Sequence, residues 1–71
     1  MSTVIAFMGA GKMGSALIGG LIKAGHLADA IWASCPTQAR LKELQTRFNI
    51  HITNDNISAA SQADILVFLP R

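Results

Sequence analysis

Gly9, Ala10, Gly11, Lys12, Met13 and Gly14 spell G-x-G-x-x-G directly after the apolar run Val4-Ile5-Ala6-Phe7-Met8. Where a strand hands over to a helix, each glycine of this pattern has its own task. The first allows a tight turn, the second lets backbone approach a pyrophosphate, and the third lets helix pack on strand. The first N–H groups of a helix lack intrahelical partners, and the helix dipole adds partial positive charge there. The spacing therefore predicts a cradle for a dinucleotide diphosphate, with Lys12 optional to it. A glycine turn serving only packing would share the pattern but would not need its setting, a strand before, a helix after and a βαβ-sized unit around it.

The next chemical question is which dinucleotide. A site for NAD places an acidic residue about twenty positions after the fingerprint on the ribose 2′-OH, and a site for NADP cannot keep that charge opposite a phosphate. Counting on from Gly14 reaches Ser34, and no Asp or Glu stands between Asp29 and Leu41. This favours NADP (NADPH) and leaves tolerance of NAD open. Ser34 and Thr37 are candidate donors to a 2′-phosphate, with Arg40 one helical turn on as a counter-charge. The competing reading makes Ser34 and Thr37 simple turn and helix caps.

These residues need elements to hold them, and the elements alternate. Thr3 to Met8 is a strand-length apolar run suited to a central parallel strand. From Lys12 to about Gly25 the spacing is helical. Met13, Leu17, Leu21 and Ala24 lie on one line, Ile18 and Ile22 widen it, and Lys12, Ser15, Gly19 and Lys23 fall opposite. Gly19-Gly20 inside that helix serves close packing or marks a weak point. Ala30 to Ala33 is a second strand, followed by a turn at Ser34 to Thr37. Arg40 to Phe48 is an amphipathic helix with Leu41, Leu44 and Phe48 inward, stopped by Asn49. Ile50 to Ile52 is a short edge-like strand, Thr53 to Asn56 a polar turn, and Ile57 to Ala63 a weak helix. Asp64 to Leu69 is a buried-type strand halted by Pro70. The resulting βαβαβαβ order predicts an α/β, Rossmann-like parallel sheet with strand order 3-2-1-4, a truncated half of a doubly wound domain. Its ligand crevice lies above Gly9 to Gly14 and the end of the last strand.

Composition narrows the classes further. The 71 residues allow one domain, 51% of them are hydrophobic and only 14% charged, against about 25% charged in an average domain. So apolar a chain expects cover from more chain or from another copy of itself. The net charge of +2 comes from scattered residues, which speaks against nucleic acid as a partner. Met13 to Ile22 is too short to span a bilayer, and the start shows no basic region before a cleavage site. Cys35 is the single cysteine, so no internal disulfide forms and nothing points to an oxidising compartment. A cytoplasmic protein without a membrane partner is expected.

Other reactive residue types read as structural. His26 and His51 lack partners at metal-ligand spacing and suit surface or turn positions. Cys35 has no base nearby in sequence and suits a turn beside the adenosine pocket. Trp32 suits core or interface, Asp55 and Asp64 suit capping or strand ends, and no acid pair suggests acid–base catalysis.

The longer run Gly9-Ala10-Gly11-Lys12-Met13-Gly14-Ser15-Ala16-Leu17-Ile18-Gly19-Gly20-Leu21 resembles the N-terminus of pyrroline-5-carboxylate reductases. The resemblance continues through Ala33-Ser34, Asn56 and Ala63-Asp64. It implies reduction of the C=N bond of 1-pyrroline-5-carboxylate to L-proline with NAD(P)H, in proline biosynthesis. It implies that Phe7, Met8 and the loop Gly9 to Gly14 carry the cofactor phosphates. By the same resemblance Ser34 lies by the adenosine ribose or its 2′-phosphate, and Asn56 approaches the adenosine half. The family's Ala-Val-Lys-Pro segment would follow Phe68, where this sequence has Leu69-Pro70-Arg71. Its helical C-terminal domain, which forms the oligomer and holds the substrate, is not among residues 1–71. The expectation is a nucleotide-binding segment that does not turn over substrate alone and that self-associates. Two further readings stay open: a segment of a hydroxyacid dehydrogenase or another NADP oxidoreductase, and a non-catalytic nucleotide-binding or self-associating module.

Overall fold

In the computed structural model, which describes residues 3–9 and 11–69, the chain alternates strand and helix from the start. Ile5–Met8 forms β1, Lys12–Lys23 α1, Ile31–Ser34 β2, Gln38–Phe48 α2, His51–Thr53 β3, Asn56–Gln62 α3 and Ile65–Phe68 β4, with a 3-10 turn at Ala28–Ala30 leading into β2. The strands pair in parallel in the order β3-β2-β1-β4. This is the 3-2-1-4 order expected from the alternation. Met8 sits opposite Ser34 on one side and Phe68 on the other, so three strand ends finish level beside the glycine loop.

Successive side chains on a strand point to opposite faces, and that alternation sorts the core. Phe7, Ile31 and Ala33 meet Ile18 of α1, Leu44 of α2 and Ile50 on one face. Ala6 and Met8 meet Ala59 of α3 on the other, with Trp32 packed beside them. Helices therefore cover both faces, α1 and α2 on one and the shorter α3 on the second.

Helix ends follow local chemistry. After α1, Gly25 takes φ +105°, donates to the Ile22 carbonyl at 3.0 Å, and His26 donates to Leu21 at 2.9 Å. That pair of bonds is a Schellman closure, which a left-handed glycine makes without a Cβ penalty. Asn49 ends α2 at φ 56°, as its residue type predicts. Asp55 caps α3 by accepting from the Ile57 N–H at 3.0 Å and the Ser58 hydroxyl at 3.0 Å. Asp64 accepts from the Val4 N–H at 2.9 Å and so ties the start of β4 to the start of β1.

Three sequence expectations need correction. On α1 the buried positions are Gly14 and Ile18, while Met13 and Leu17 of the expected apolar line are 56% and 44% exposed. An apolar arc that wraps half a helix needs neighbours on two sides, and here only the sheet and α2 supply cover. Gly19, expected on the outer face, instead turns toward α2: a Cβ there would lie 3.4 Å from the Phe48 ring. Phe48 packs where that side chain is missing. Finally, β4 is not buried, since Ile65, Leu66 and Phe68 are 48%, 45% and 68% exposed. It is an edge strand, and α3 packs chiefly over the other three strands. The remaining element bounds differ by one or two residues, within the usual fraying of ends.

Candidate functional site

The site begins with what Gly9 must do. It leaves β1 at φ +76°, a left-handed conformation that L side chains rarely adopt. Its N–H donates to the Ser34 carbonyl at 2.9 Å, which ties the loop to the end of β2. Gly11 then caps α1 with no side-chain hydrogen bond, and no acidic residue stands in the first turn. A Cβ at Gly11 would meet no atom within 4 Å. The backbone at this point faces open space, as close approach of a phosphate requires. Gly14 is buried in the first turn, consistent with a third glycine that lets α1 lie close on the sheet.

That open space is a cleft of about 740 Å³ lined by both the loop side and the β2–α2 side. Gly9, Gly11, Lys12 and Met13 form one wall, Cys35, Pro36, Thr37 and Arg40 face them, and Asn54, Asn56 and Leu69 close the cleft. Lys12 and Arg40 are its charged residues, and no carboxylate contributes to the lining among the described residues. Thr37 caps α2 by position but makes no side-chain cap bond. Two helix N-termini, those of α1 and α2, thus border the cleft without internal anionic caps, whereas Asp55 already satisfies α3. Partial positive charge from both uncapped ends favours an anionic occupant. A group with a diphosphate and a further phosphate fits this donor set.

Ser34 and Asn56 come together across 22 positions of sequence, with the Ser34 hydroxyl donating to Asn56 Oδ1. Ser34 is only 1% exposed. Its carbonyl holds the glycine loop while its hydroxyl holds the first residue of α3, so one residue joins three walls. Cys35, buried and free, borders the cleft as expected, and its N–H donates to the Thr53 carbonyl at 3.3 Å.

The other expected site residues separate. Phe7 and Met8, 2% and 9% exposed, lie in the core below the loop and are not part of the main cleft lining. Met8 instead borders a second, largely apolar cavity of about 390 Å³ with Ile57, Ala60 and Phe68. Ala10 lies outside the described residues. Asn54, Pro36 and Leu69 line the cleft without having been singled out. The signal for them was positional: each follows the carboxyl end of a strand, where open α/β sheets bind ligands.

Away from the cleft, His51 stacks on Trp32 with ring centroids 4.8 Å apart and approaches Asp29 at 3.1 Å. His51 is thus an edge-strand residue with a carboxylate partner contributed by another segment. Among the described residues no cluster of three or more His, Cys, Asp or Glu forms a metal site, and no helix is long and apolar enough to cross a membrane.

Comparison with known proteins agrees with this geometry. Residues 4–69 match the family described as NADP oxidoreductase, coenzyme F420-dependent. The pyrroline-5-carboxylate reductase of Vibrio alginolyticus is 46% identical over 63 residues, covering 89% of this chain and 23% of that protein. The pyrroline-5-carboxylate reductase of Methanosarcina acetivorans is 45% identical over 64 residues, covering 89% and 24%. A solved pyrroline-5-carboxylate reductase from Coxiella burnetii superposes with a TM-score of 0.92 at 27% identity, covering 99% of this chain and 26% of that one. The chain spans about a quarter of the length of these relatives. Matched over residues 4–69, almost all its length, the chain belongs to the NADP oxidoreductase, coenzyme F420-dependent, family, in the segment that these reductases share.

Proposed function

We propose that residues 1–71 are the NAD(P)H-binding portion of a pyrroline-5-carboxylate reductase, working in proline biosynthesis by reduction of a cyclic C=N bond. The observation that carries the reading is the Gly11 end of α1, uncapped by any side chain and open to a cleft that no carboxylate lines among the described residues. When bound, the nicotinamide supplies the hydride. This chain's residues bind and orient: the amides of the α1 first turn hold the diphosphate, with Lys12 and Met13 beside it. Asn56, held by Ser34, borders the adenosine half. Phe7, Met8 and Gly14 act from beneath, by fixing where the loop leaves the sheet. Ala10 belongs to the same loop by sequence.

A cleft lined by no acid among the described residues, with Thr37 and Arg40 on the α2 side, supports NADPH over NADH. Hydride transfer asks mainly for orientation and exclusion of water. We assign those services to the helical substrate-side domain of the full-length family, together with the imine site. The exposed apolar residues of β4, with Ile57 at 79%, support self-association or cover by further chain, because unpaired edges invite pairing. A lone reduced Cys35 fits cytoplasmic residence. A hydroxyacid dehydrogenase or another NADP oxidoreductase would use the same cleft, and substrate assays of the longer protein separate them.

Calorimetric titration of the chain with NADPH and NADH, against a buffer control, tests the proposal. Saturable binding, tighter for NADPH, is the expected result. No binding of either nucleotide to folded protein refutes it.

A further inference from the structure

We propose that Glu43 tunes the cofactor selectivity of this site by competing with a bound anion for Arg40, which stands on the cleft wall within reach of both. The inference deepens the NADPH-binding reading and rests on it. Arg40 lies in the first turn of α2 and lines two cavities at once, the nucleotide cleft and a groove of about 330 Å³ between α1 and α2. Lys12 also lines both, and Ser15, Ala16, Glu43 and Arg47 complete the groove among the described residues. One turn along α2, Glu43 Oε1 stands 3.9 Å from Arg40 Nη1. The Arg40 and Glu43 side chains are 31% and 55% exposed. The guanidinium is therefore shared: Glu43 draws it along α2, while an anion in the cleft would draw it the other way.

Among the described residues the cleft has two cations on its lining, and Lys12 belongs to the glycine-loop wall. Arg40 is the cation on the β2–α2 wall, where the ribose would lie. A dinucleotide with a 2′-phosphate gains from Arg40 only to the extent that Glu43 releases it. One without that phosphate gains nothing. Glu43 thus lowers the advantage of NADPH over NADH without touching either nucleotide, as a positioning residue that acts through Arg40. Exposed pairs of this kind are weak, since solvent screens them and two long side chains must be ordered together. Selectivity is tuned rather than switched, and a site with both Arg40 and Glu43 accepts both cofactors.

The test is calorimetry on wild type, Glu43→Gln, Arg40→Ala and the double variant, with NADPH, NADH, adenosine 2′,5′-bisphosphate and 5′-AMP as ligands. Glu43→Gln is expected to tighten NADPH and the bisphosphate by about 1.5- to 5-fold, the range that an exposed ion pair commands. NADH and 5′-AMP should be unchanged. The gain should vanish in the Arg40→Ala background and shrink at high salt. An equal change for all four ligands, or the same gain without Arg40, overturns the proposal while leaving the binding site intact. Failure of every ligand to bind wild type would instead remove the reading on which it rests.

Discussion

Replacing Ser34 by Ala separates a residue that touches the cofactor from one that arranges the site. The hydroxyl is buried, its residue being 1% exposed, and it donates to Asn56. Ser34→Ala deletes that bond and leaves the Asn56 amide without its partner. Asn56 is itself exposed, so water can replace the lost donor. The cost then falls in the range for one intramolecular hydrogen bond, about 0.5–1.5 kcal/mol, without the added penalty of a stranded buried group. For a domain this small, 1 kcal/mol corresponds to about 4–8 °C in melting temperature. The backbone bond from Gly9 to the Ser34 carbonyl survives, so the glycine loop stays in place and the diphosphate should still bind. What loosens is the α3 wall. Binding of NADPH and NADH should therefore weaken by a similar factor, at most about tenfold if the whole hydrogen-bond energy is felt by the ligand.

The assay pairs thermal unfolding with titration of both nucleotides. Asn56→Ala should cost more stability than Ser34→Ala, because it leaves the buried Ser34 hydroxyl without its acceptor, and the double variant should cost less than the sum of the two, because both remove the same bond. A selective loss of NADPH with NADH unchanged would refute the reasoning. It would mean that the hydroxyl leaves Asn56 and contacts the 2′-phosphate directly.

Two further predictions concern the loop and the last helix. Gly11→Val fills the open face above α1, where an added Cβ meets nothing within 4 Å, so nucleotide affinity should fall at least tenfold in titration, alongside a loss of about 1 kcal/mol of stability because valine is a poor N-cap for α1; unchanged affinity in the folded variant would mean that no ligand approaches the backbone there. Asp55→Ala removes the side-chain cap of α3 and should lower stability by about 1 kcal/mol in denaturant unfolding, an outcome excluded if the midpoint is unmoved.

How much of this was legible beforehand depends on the range of the forces involved. The glycine loop was readable because its requirements are local: a positive φ at Gly9 and missing side chains at Gly11 and Gly14 are properties of those positions themselves. Asn49 and Asp55 were readable for the same reason. The contents of the cleft were less so. Asn54 and Leu69 line it because parallel pairing brings the ends of β3, β2, β1 and β4 to one edge, and no local pattern names which side chain follows each end. Burial was misread where it depended on a neighbour. Leu66 and Phe68 have the composition of an interior strand, yet exposure is a fact about what lies beyond β4, not about β4.

The alternation of strands and helices and the glycine turn at Gly9 came from the sequence by itself, since backbone geometry and apolar periodicity act over a few residues. Tertiary structure alone decided that Ser34 would turn its hydroxyl to Asn56, that Phe48 would rest on Gly19, and that Arg40 would stand between two cavities. Those are meetings of residues distant along the chain or set by the packing of one helix on another. Their energies exist only once the sheet has fixed which surfaces face each other.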